Sequence, residues 1–432
     1  MAAHLIVVPV PSGRNDAYGL QLPPTERGSG GIRTWAGMPP ISSTCMTLSG
    51  RDIRTALALA ALIVAANAGY VASKLGFVHR PKVVMESDHR HYIHMATSPD
   101  EPEDPPYAFR VAAPRLARGL MAWGLSVNEA FYALTQISLV AFLACVFLFL
   151  RARGFTPEVS ALVLALMGLT QGAVRWFEYQ YWMSDPLCMA LVAAAVLAIQ
   201  LDGPWRAAIL IGFAAGFVRE SFVLVLPFAF FHTLKRHDLK EAILRTGAIA
   251  IAFFAVSLTL HALITPIAPD DWWSGIVDSM SFRARHFLDK QWYVLTLGTW
   301  GVFVPLALCD VRGVFRRVRE NLDLTFLALA TYGTLIISNN TERPLAYAWA
   351  AVAAAGAAGL RALSATIVTP YRDPFQRIAA LCLGAQLVHF GVTRWNDLAG
   401  SSLYQPANYI VTGLMFAMWL VWALVFARLK TN

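Results

Sequence analysis

Residues 128–153 read "NEAFYALTQISLVAFLACVFLFLRAR", a long apolar run that ends in two arginines. A helix of about 20 mostly apolar residues is long enough to cross the hydrocarbon core of a bilayer. Across all 432 residues, 57% are hydrophobic and 14% are charged, whereas a soluble domain has about a quarter of its residues charged. The sequence therefore predicts an all-α, polytopic helical membrane protein.

Other apolar runs extend this pattern along the chain, and together they predict about 11–12 membrane-embedded helices. Residues 200–242 are too long for one span and too short for two, which indicates a hairpin of two short helices with Arg219 and Glu220 at its tip. Residues 107–125 are amphipathic and are expected to lie in the interface, interrupted at Pro114. The runs fall at about 53–72, 128–150, 157–174, 184–200, 242–263, 292–309, 322–338, 344–362, 377–393 and 407–427.

The first 50 residues differ in composition from the rest. They are rich in Pro, Gly and polar residues and have no periodicity, so we expect a disordered segment or an extension from a mis-called start, because Met46 begins a natural-looking N-terminus. Residues 51–432 are expected to form a single transmembrane domain. The five cysteines are scattered without a close pair, which argues against disulfides and against a zinc site.

Basic residues indicate how the chain is oriented. If the predicted hairpin counts as two membrane crossings, all the basic segments fall on one side of the membrane. By the positive-inside rule that side is the cytoplasm. We therefore expect a multi-pass protein of the bacterial inner (cytoplasmic) membrane, with both termini cytoplasmic, membrane lipids as neighbours and no nucleic-acid partner for its net charge of +8. The segments are Arg51 with Arg54, and residues 151–153, 235–240, 312–320, 371–377 and 427–430.

The predicted outer side holds most of the acidic residues, and its first loop contains "VVMESDHRHYIHMA" at residues 83–96. Glu86 and Asp88 could bind a divalent cation or transfer protons. The pattern alone favours a solvated loop, and its position just after the first predicted helix is what favours a site. Asp88, Tyr92 and Ala96 are four residues apart, so they share one face of a short helix. The nearby histidines at 89, 91 and 94 are not expected to bind zinc, because no second cluster completes a site.

The pattern of Asp88 and Tyr92, followed by a "Y-x-x-R-x-x-x-P" motif at 107–114, resembles the first outer loop of the GT-C superfamily of membrane glycosyltransferases. Three later segments are also similar to that family: "WMSDPLCMALVAAA" (182–195), "GFVRESFVLVLPF" (216–228) and "NNTERPLAYAWAAVAAAGAAGL" (339–360). The last segment lacks the proline that the family carries there. The resemblance covers about residues 50–365.

The resemblance implies a GT-C-like fold and a specific activity. Such enzymes move a sugar from a polyprenyl-phosphate donor to a lipid, glycan or protein acceptor on the outer face of the membrane. It implies that Asp88 is the catalytic base and that Glu86 is its partner or a ligand of a divalent metal such as Mg²⁺ or Mn²⁺. The implied substrate-binding residues are Arg219, Arg343, Arg110, Tyr92, Asp185 and Glu178.

Two other functions remain open from the sequence. A transporter or flippase of envelope precursors fits the charged break at Arg219 and Glu220, although the chain has no visible internal repeat. A GT-C-like protein without catalytic activity is also compatible with these motifs. For Arg219, a structural ion pair with the neighbouring Glu220 is the alternative to binding the donor phosphate.

Overall fold

In the computed structural model, the described residues are 48–76, 88–267, 298–308, 318–334, 342–366 and 378–387, with a few single positions between these ranges. The predicted N-terminal extension, Glu86 and the predicted span at 407–427 lie outside them. The described residues contain no strand, so the all-α prediction is confirmed for this part of the chain. The boundary between an N-terminal extension and a single membrane domain stays a prediction.

The helices follow one another in the order that the apolar runs predict. They are α1 (Gly50–Leu75), α2 (Asp88–Thr97), α3 (Ala112–Met121), α4 (Val127–Ala152), α5 (Pro157–Gly168), α6 (Trp176–Tyr179), α7 (Asp185–Gln200), α8 (Trp205–Ala215), α9 (Val225–Arg236), α10 (Leu239–Leu263), α11 (Phe303–Leu308), α12 (Leu322–Gly333), α13 (Glu342–Ala346), α14 (Trp349–Thr366) and α15 (Ile378–Leu387). Two 3₁₀ turns, Tyr107–Phe109 and Glu220–Leu224, and a π-helical turn, Gln171–Arg175, lie between them.

Three of the described helices, α1, α4 and α10, are long and apolar enough to cross a membrane. A fourth span is possible if α5 and the following segment, Gly172–Tyr179, count as one span bent by 67°. The other apolar helices are shorter, and at about 1.5 Å per residue they do not cover a hydrocarbon core of about 30 Å alone. The chain is thus an α-helical membrane protein, and its total of about 11–12 embedded helices stays a prediction.

Local sequence explains where the long helices begin. Ser49 and Asp52 form a reciprocal capping box at the start of α1, and Ser126 and Glu129 form another at the start of α4. In each box, the serine accepts a hydrogen bond from a backbone N–H that the helix itself cannot satisfy. These polar caps fix the position of each helix start, just before the apolar residues begin.

The predicted interfacial segment is a 3₁₀ turn followed by α3. Arg115 and Arg118 are exposed on one face of α3, while Ala113 and Ala117 are buried on the other, as expected for an amphipathic helix. The prediction that Pro114 interrupts this helix is wrong. Pro114 lies in the first turn of α3, where the missing N–H of proline has no helical partner to lose.

The basic segments of the described chain meet at one end of the helix bundle. Arg151 at the end of α4 bonds Asp52 at the start of α1 at 2.8 Å, and Lys235 bonds the backbone oxygen of Glu320 at 2.7 Å. This arrangement supports the prediction that these segments share one side of the membrane. Which side faces the cytoplasm, and where both termini lie, stay predictions.

A buried polar cluster, here called the inner cluster, lies at the same end. Arg153 donates to Asp323 Oδ2 at 2.5 Å and to Asn321 Oδ1 at 3.2 Å, and His232 Nδ1 lies 2.9 Å from Asp323 Oδ2. All four residues are buried. The inner cluster therefore joins the end of α4, the end of α9 and the start of α12 through charged groups removed from water.

The predicted hairpin between residues 200 and 242 is present as α8 and α9, with Arg219 and Glu220 in the break between them. The end of α8 lies very close to α10 at Gly216. A Cβ atom at Gly216 would lie 2.7 Å from Val256 Cβ and 2.9 Å from the backbone oxygen of Phe253. Only glycine allows this close approach without a shift of α10.

We expect Gly216→Ala to destabilise the fold by about 1–3 kcal/mol, because the added methyl forces α8 and α10 apart. Gly247→Ala in α10 is the matched control, because a Cβ there has no neighbour within 4 Å. The control should be neutral or slightly stabilising, since alanine favours a helix over glycine by about 1 kcal/mol. Thermal unfolding of both variants in detergent measures the difference, and equal melting temperatures would contradict the close approach.

Candidate functional site

Asp88 and Tyr107 form the first contact of the candidate site. Asp88 is the first residue of α2, and its Oδ1 accepts a hydrogen bond from the Tyr107 hydroxyl at 2.5 Å. Tyr107 follows α2 in the chain, in the 3₁₀ turn before α3. Burial, followed by the Asp88 charge, raises the pKa of Tyr107 well above its usual value. Tyr107 therefore stays protonated and holds the Asp88 carboxylate as a donor.

Tyr92 connects α2 to the start of α7. The Tyr92 ring is fully buried, and its hydroxyl lies 2.9 Å from Ser184 Oγ. The same hydroxyl accepts a hydrogen bond from Arg110 Nη1 at 3.2 Å. The prediction that Asp88, Tyr92 and Ala96 share one helix face fits these positions, because Tyr92 and Ala96 pack in the buried cluster against α3 and α4.

Arg110 forms a two-pronged ion pair with Glu220. Arg110 Nε donates to Glu220 Oε2 at 3.1 Å, and its Nη2 donates to Oε1. A planar guanidinium that meets a carboxylate in this way is fixed in orientation as well as in charge. Arg110 is buried, whereas the Glu220 side chain is 58% exposed. The ion pair therefore joins a buried guanidinium to a carboxylate on a partly exposed side chain.

Arg219 binds a different carboxylate, that of Asp185. Arg219 Nη1 donates to Asp185 Oδ2 at 2.6 Å, and its Nε donates to Ser221 Oγ at 3.3 Å. The alternative of a structural ion pair at Arg219 therefore fits the structure, but its partner is Asp185 and not the neighbouring Glu220. Arg219 has an extended backbone, with φ −170° and ψ 145°, and successive side chains of an extended chain point in opposite directions.

These contacts bring most of the sequence-predicted residues into one connected group, here called the outer network. The Arg110 guanidinium also lies 5.5 Å from the centre of the Tyr107 ring, which links the Asp88 contact to the ion pair of Arg110 with Glu220. The ion pair of Arg219 with Asp185 is joined to this group through the adjacent residues Glu220 and Ser184. The outer network consists of Asp88, Tyr92, Tyr107, Arg110, Ser184, Asp185, Arg219 and Glu220. It lies at the start of α7 and α9, and the basic end of the bundle lies at the end of these helices.

Glu178 lies apart from the outer network. It is fully buried, and its Oε2 accepts a hydrogen bond from Gln136 Nε2 at 2.7 Å. Gln136 belongs to α4, so this contact joins α4 to α6 inside the bundle. Glu86, another predicted residue, lies outside the described part of the chain. Arg343 has its backbone in α13, but its side chain is not among the described ones.

Three residues of the outer network are missing from the predicted site. Tyr107 is part of the quoted motif "Y-x-x-R-x-x-x-P", and Glu220 is next to Arg219 at the break, so both had a signal in the sequence. Ser184 had none, because a serine before an apolar run is usually read as the start of a helix. Its contact with Tyr92 joins residues 92 positions apart.

Two places are relevant to the predicted cation, and the described residues bring together a group of possible ligands at the second. At the first, Asp88 is the described member of the predicted Glu86 and Asp88 pair, and its Oδ1 already accepts the Tyr107 hydroxyl, so we assign no step to a metal there. At the second, Glu103 contacts both His91 and His94. The argument that no second cluster completes a site at these histidines does not hold, because Glu103 and Asp104 of the loop after α2 lie beside His91.

The comparisons with known proteins leave the function to be argued from this geometry. No family model matches the chain, and neither a curated protein nor a solved structure matches it.

Proposed function

We propose that the protein is a membrane glycosyltransferase that moves a sugar from a polyprenyl-phosphate donor to an acceptor hydroxyl on the outer face. The observation that carries this proposal is the outer network, in which a carboxylate held by Tyr107 lies in the same connected group as two arginines. A base for the acceptor and cations for a phosphate leaving group are the two requirements of this reaction.

In the proposed reaction, the acceptor oxygen attacks the anomeric carbon of the donor sugar. The bond between that carbon and the phosphate oxygen breaks, and its electron pair leaves with the lipid phosphate. The proton of the acceptor hydroxyl goes to the Asp88 carboxylate. The hydrogen bond from Tyr107 orients this carboxylate before the acceptor binds, which lowers the entropy cost of reaching the reactive geometry.

The two arginines have different parts in this proposal. All three nitrogens of the Arg110 guanidinium have partners, two bonds going to Glu220 and one to Tyr92. Arg219 uses Nη1 and Nε within the described residues, and a guanidinium has five N–H donors. We therefore assign phosphate binding to Arg219 and the positioning of Glu220 and Tyr92 to Arg110.

The experiment compares the lipids and glycans of a strain that lacks the gene with those of strains complemented by the full chain or by variants. We expect the deletion strain to accumulate a polyprenyl-phosphate sugar and to lose one glycoconjugate. Arg219→Ala should fail to restore it, whereas Arg206→Ala, an exposed arginine of α8 outside the outer network, should restore it fully. Unchanged sugar lipids and glycans in the deletion strain would contradict the proposal.

A transporter is the second candidate, because the charged break between α8 and α9 is typical of discontinuous helices around a transported substrate. The two functions differ in the fate of one bond. A glycosyltransferase releases polyprenyl phosphate from its sugar, whereas a transporter moves the intact molecule across the membrane. Purified protein is placed in vesicles with labelled donor and with the acceptor from which the lost glycoconjugate is made. Release of polyprenyl phosphate indicates a transferase, and movement of intact labelled donor across the membrane indicates a transporter.

A further inference from the structure

The loop after α2 carries the acidic sequence "EPED" at residues 101–104 and packs against the histidines of α2. Glu103 Oε1 lies 2.7 Å from His91 Nδ1, and Glu103 Oε2 lies 2.9 Å from His94 Nδ1. His94 Nε2 lies 2.9 Å from a Glu101 oxygen. We call these residues, together with Asp104, the imidazole–carboxylate cluster.

The charge of this cluster is unbalanced. It contains three carboxylates and two imidazoles, so the five groups carry a net charge of −1 even when both imidazoles are protonated. Glu103 is buried, with 8% of its surface exposed. A buried carboxylate is costly unless charge and hydrogen bonds compensate for it. His91, His94 and the backbone N–H of Asp104 supply part of this compensation, and a cation bound to the neutral His91 ring would supply the rest.

The positions of the donor atoms suit a single ion. One nitrogen of His91 and one oxygen each of Glu103 and Asp104 lie within 4.8 Å of one another. Zn²⁺ binds such atoms at about 2.0–2.2 Å, so ligand atoms on one ion are separated by less than twice that distance. Small shifts of these side chains would therefore bring all three donor atoms within binding distance of a single ion.

We propose that His91, Glu103 and Asp104 bind a divalent transition-metal ion, with Zn²⁺ as the ion that the donors fit best. Imidazole nitrogen combined with carboxylate oxygen favours zinc over Mg²⁺, which prefers oxygen ligands alone. With three protein ligands, a tetrahedral ion keeps one position for water or another ligand. His94 and the backbone N–H of Asp104, which lies 3.0 Å from Glu103 Oε1, orient the Glu103 carboxylate.

The metal site is next to the outer network. The His91 ring stacks on the Tyr107 ring, with 4.2 Å between ring centres and 6° between ring planes. Tyr107 in turn donates to Asp88. An ion that fixes the His91 ring therefore also fixes the ring that holds the Asp88 carboxylate. This consequence rests on the proposed transfer function, whereas metal binding itself does not.

The test measures metal binding directly, with no sugar substrate. The full chain is purified with a tag that contains no histidine, stripped with a chelator and titrated with Zn²⁺ in a calorimeter. We expect one ion to bind per chain. The absorption bands of Co²⁺ bound in place of Zn²⁺ should show a site of low coordination number, and they should be lost when Zn²⁺ is added.

Variants decide whether the ion binds at this cluster. We expect His91→Gln and Asp104→Asn to weaken Zn²⁺ binding by at least about tenfold. His89→Gln is the matched control, because it changes a histidine of the same helix outside the cluster and should bind Zn²⁺ as the native chain does. Asp104→Asn keeps the size of a partly exposed side chain, so it tests the site even if His91→Gln fails to fold.

Two results would overturn the proposal. One is the absence of stoichiometric Zn²⁺ binding to the native chain. The other is Zn²⁺ affinity that is unchanged in folded Asp104→Asn and His91→Gln variants. Loss of Zn²⁺ binding in a variant that still transfers sugar would leave the proposed function intact and show that the ion is structural.

Discussion

Asp88→Asn is expected to reduce sugar transfer by about 10²–10⁴-fold, the range that a positioned general base contributes. Asparagine has nearly the same shape as aspartate, and its amide oxygen can still accept the Tyr107 hydrogen bond. The fold should therefore be retained while the proposed proton acceptor is lost. The measurement is the release of polyprenyl phosphate by purified protein in vesicles supplied with donor and acceptor.

Asp100→Asn is the matched control for this experiment. Asp100 is an exposed aspartate after α2, so the substitution removes the same charge from the same region without changing the outer network. We expect it to keep native activity. If Asp88→Asn transferred sugar as fast as Asp100→Asn, Asp88 would not be the base, and the exposed Glu220 carboxylate would be the next residue to test.

Asp323→Ala is expected to have the largest effect on stability. It leaves the Arg153 guanidinium and the His232 ring buried without the carboxylate that they share. Removing one partner of a buried ion pair costs about 3–5 kcal/mol, because the remaining charge is left without compensation. Thermal unfolding in detergent, followed by the retention of helical signal, should show a decrease of several degrees in the apparent melting temperature.

Two further variants separate the buried ion pair from a general effect of charge removal. Asp202→Ala breaks more exposed ion pairs with Arg245 and His237, which should cost about 0–1 kcal/mol. It also adds about 1–2 kcal/mol, because Asp202 has a left-handed backbone with φ 60° that alanine disfavours. The double variant Arg153→Met with Asp323→Leu removes both charges and should recover part of the stability lost in Asp323→Ala. An Asp323→Ala protein as stable as Asp202→Ala would show that the inner cluster contributes little.

Much of the architecture could be predicted because it depends on local sequence. The apolar run and the polar cap at Ser126 define α4, and the same combination defines α1. The charged break between α8 and α9 was also visible, since Arg219 and Glu220 interrupt apolar residues. These features are decided within one or two helical turns, which is the range over which hydrophobic periodicity and capping act.

The partners of the charged residues could not be predicted in the same way. Arg153 and Asp323 are separated by 170 residues, and Arg219 and Asp185 by 34. Their pairing depends on which helix ends meet, and no local pattern records this. The Arg219 and Glu220 pair looked natural from adjacency alone. The extended backbone at Arg219 instead directs Arg219 to the start of α7 and Glu220 to Arg110 before α3.

The extended peptide between Arg219 and Glu220 has a mechanical consequence. One peptide unit anchors the hairpin tip to the start of α7 through Arg219, and to the segment before α3 through Glu220. A rocking motion of the hairpin would have to strain both anchors at once. The hairpin tip, the segment before α3 and the beginning of α7 are therefore expected to move together as one rigid unit.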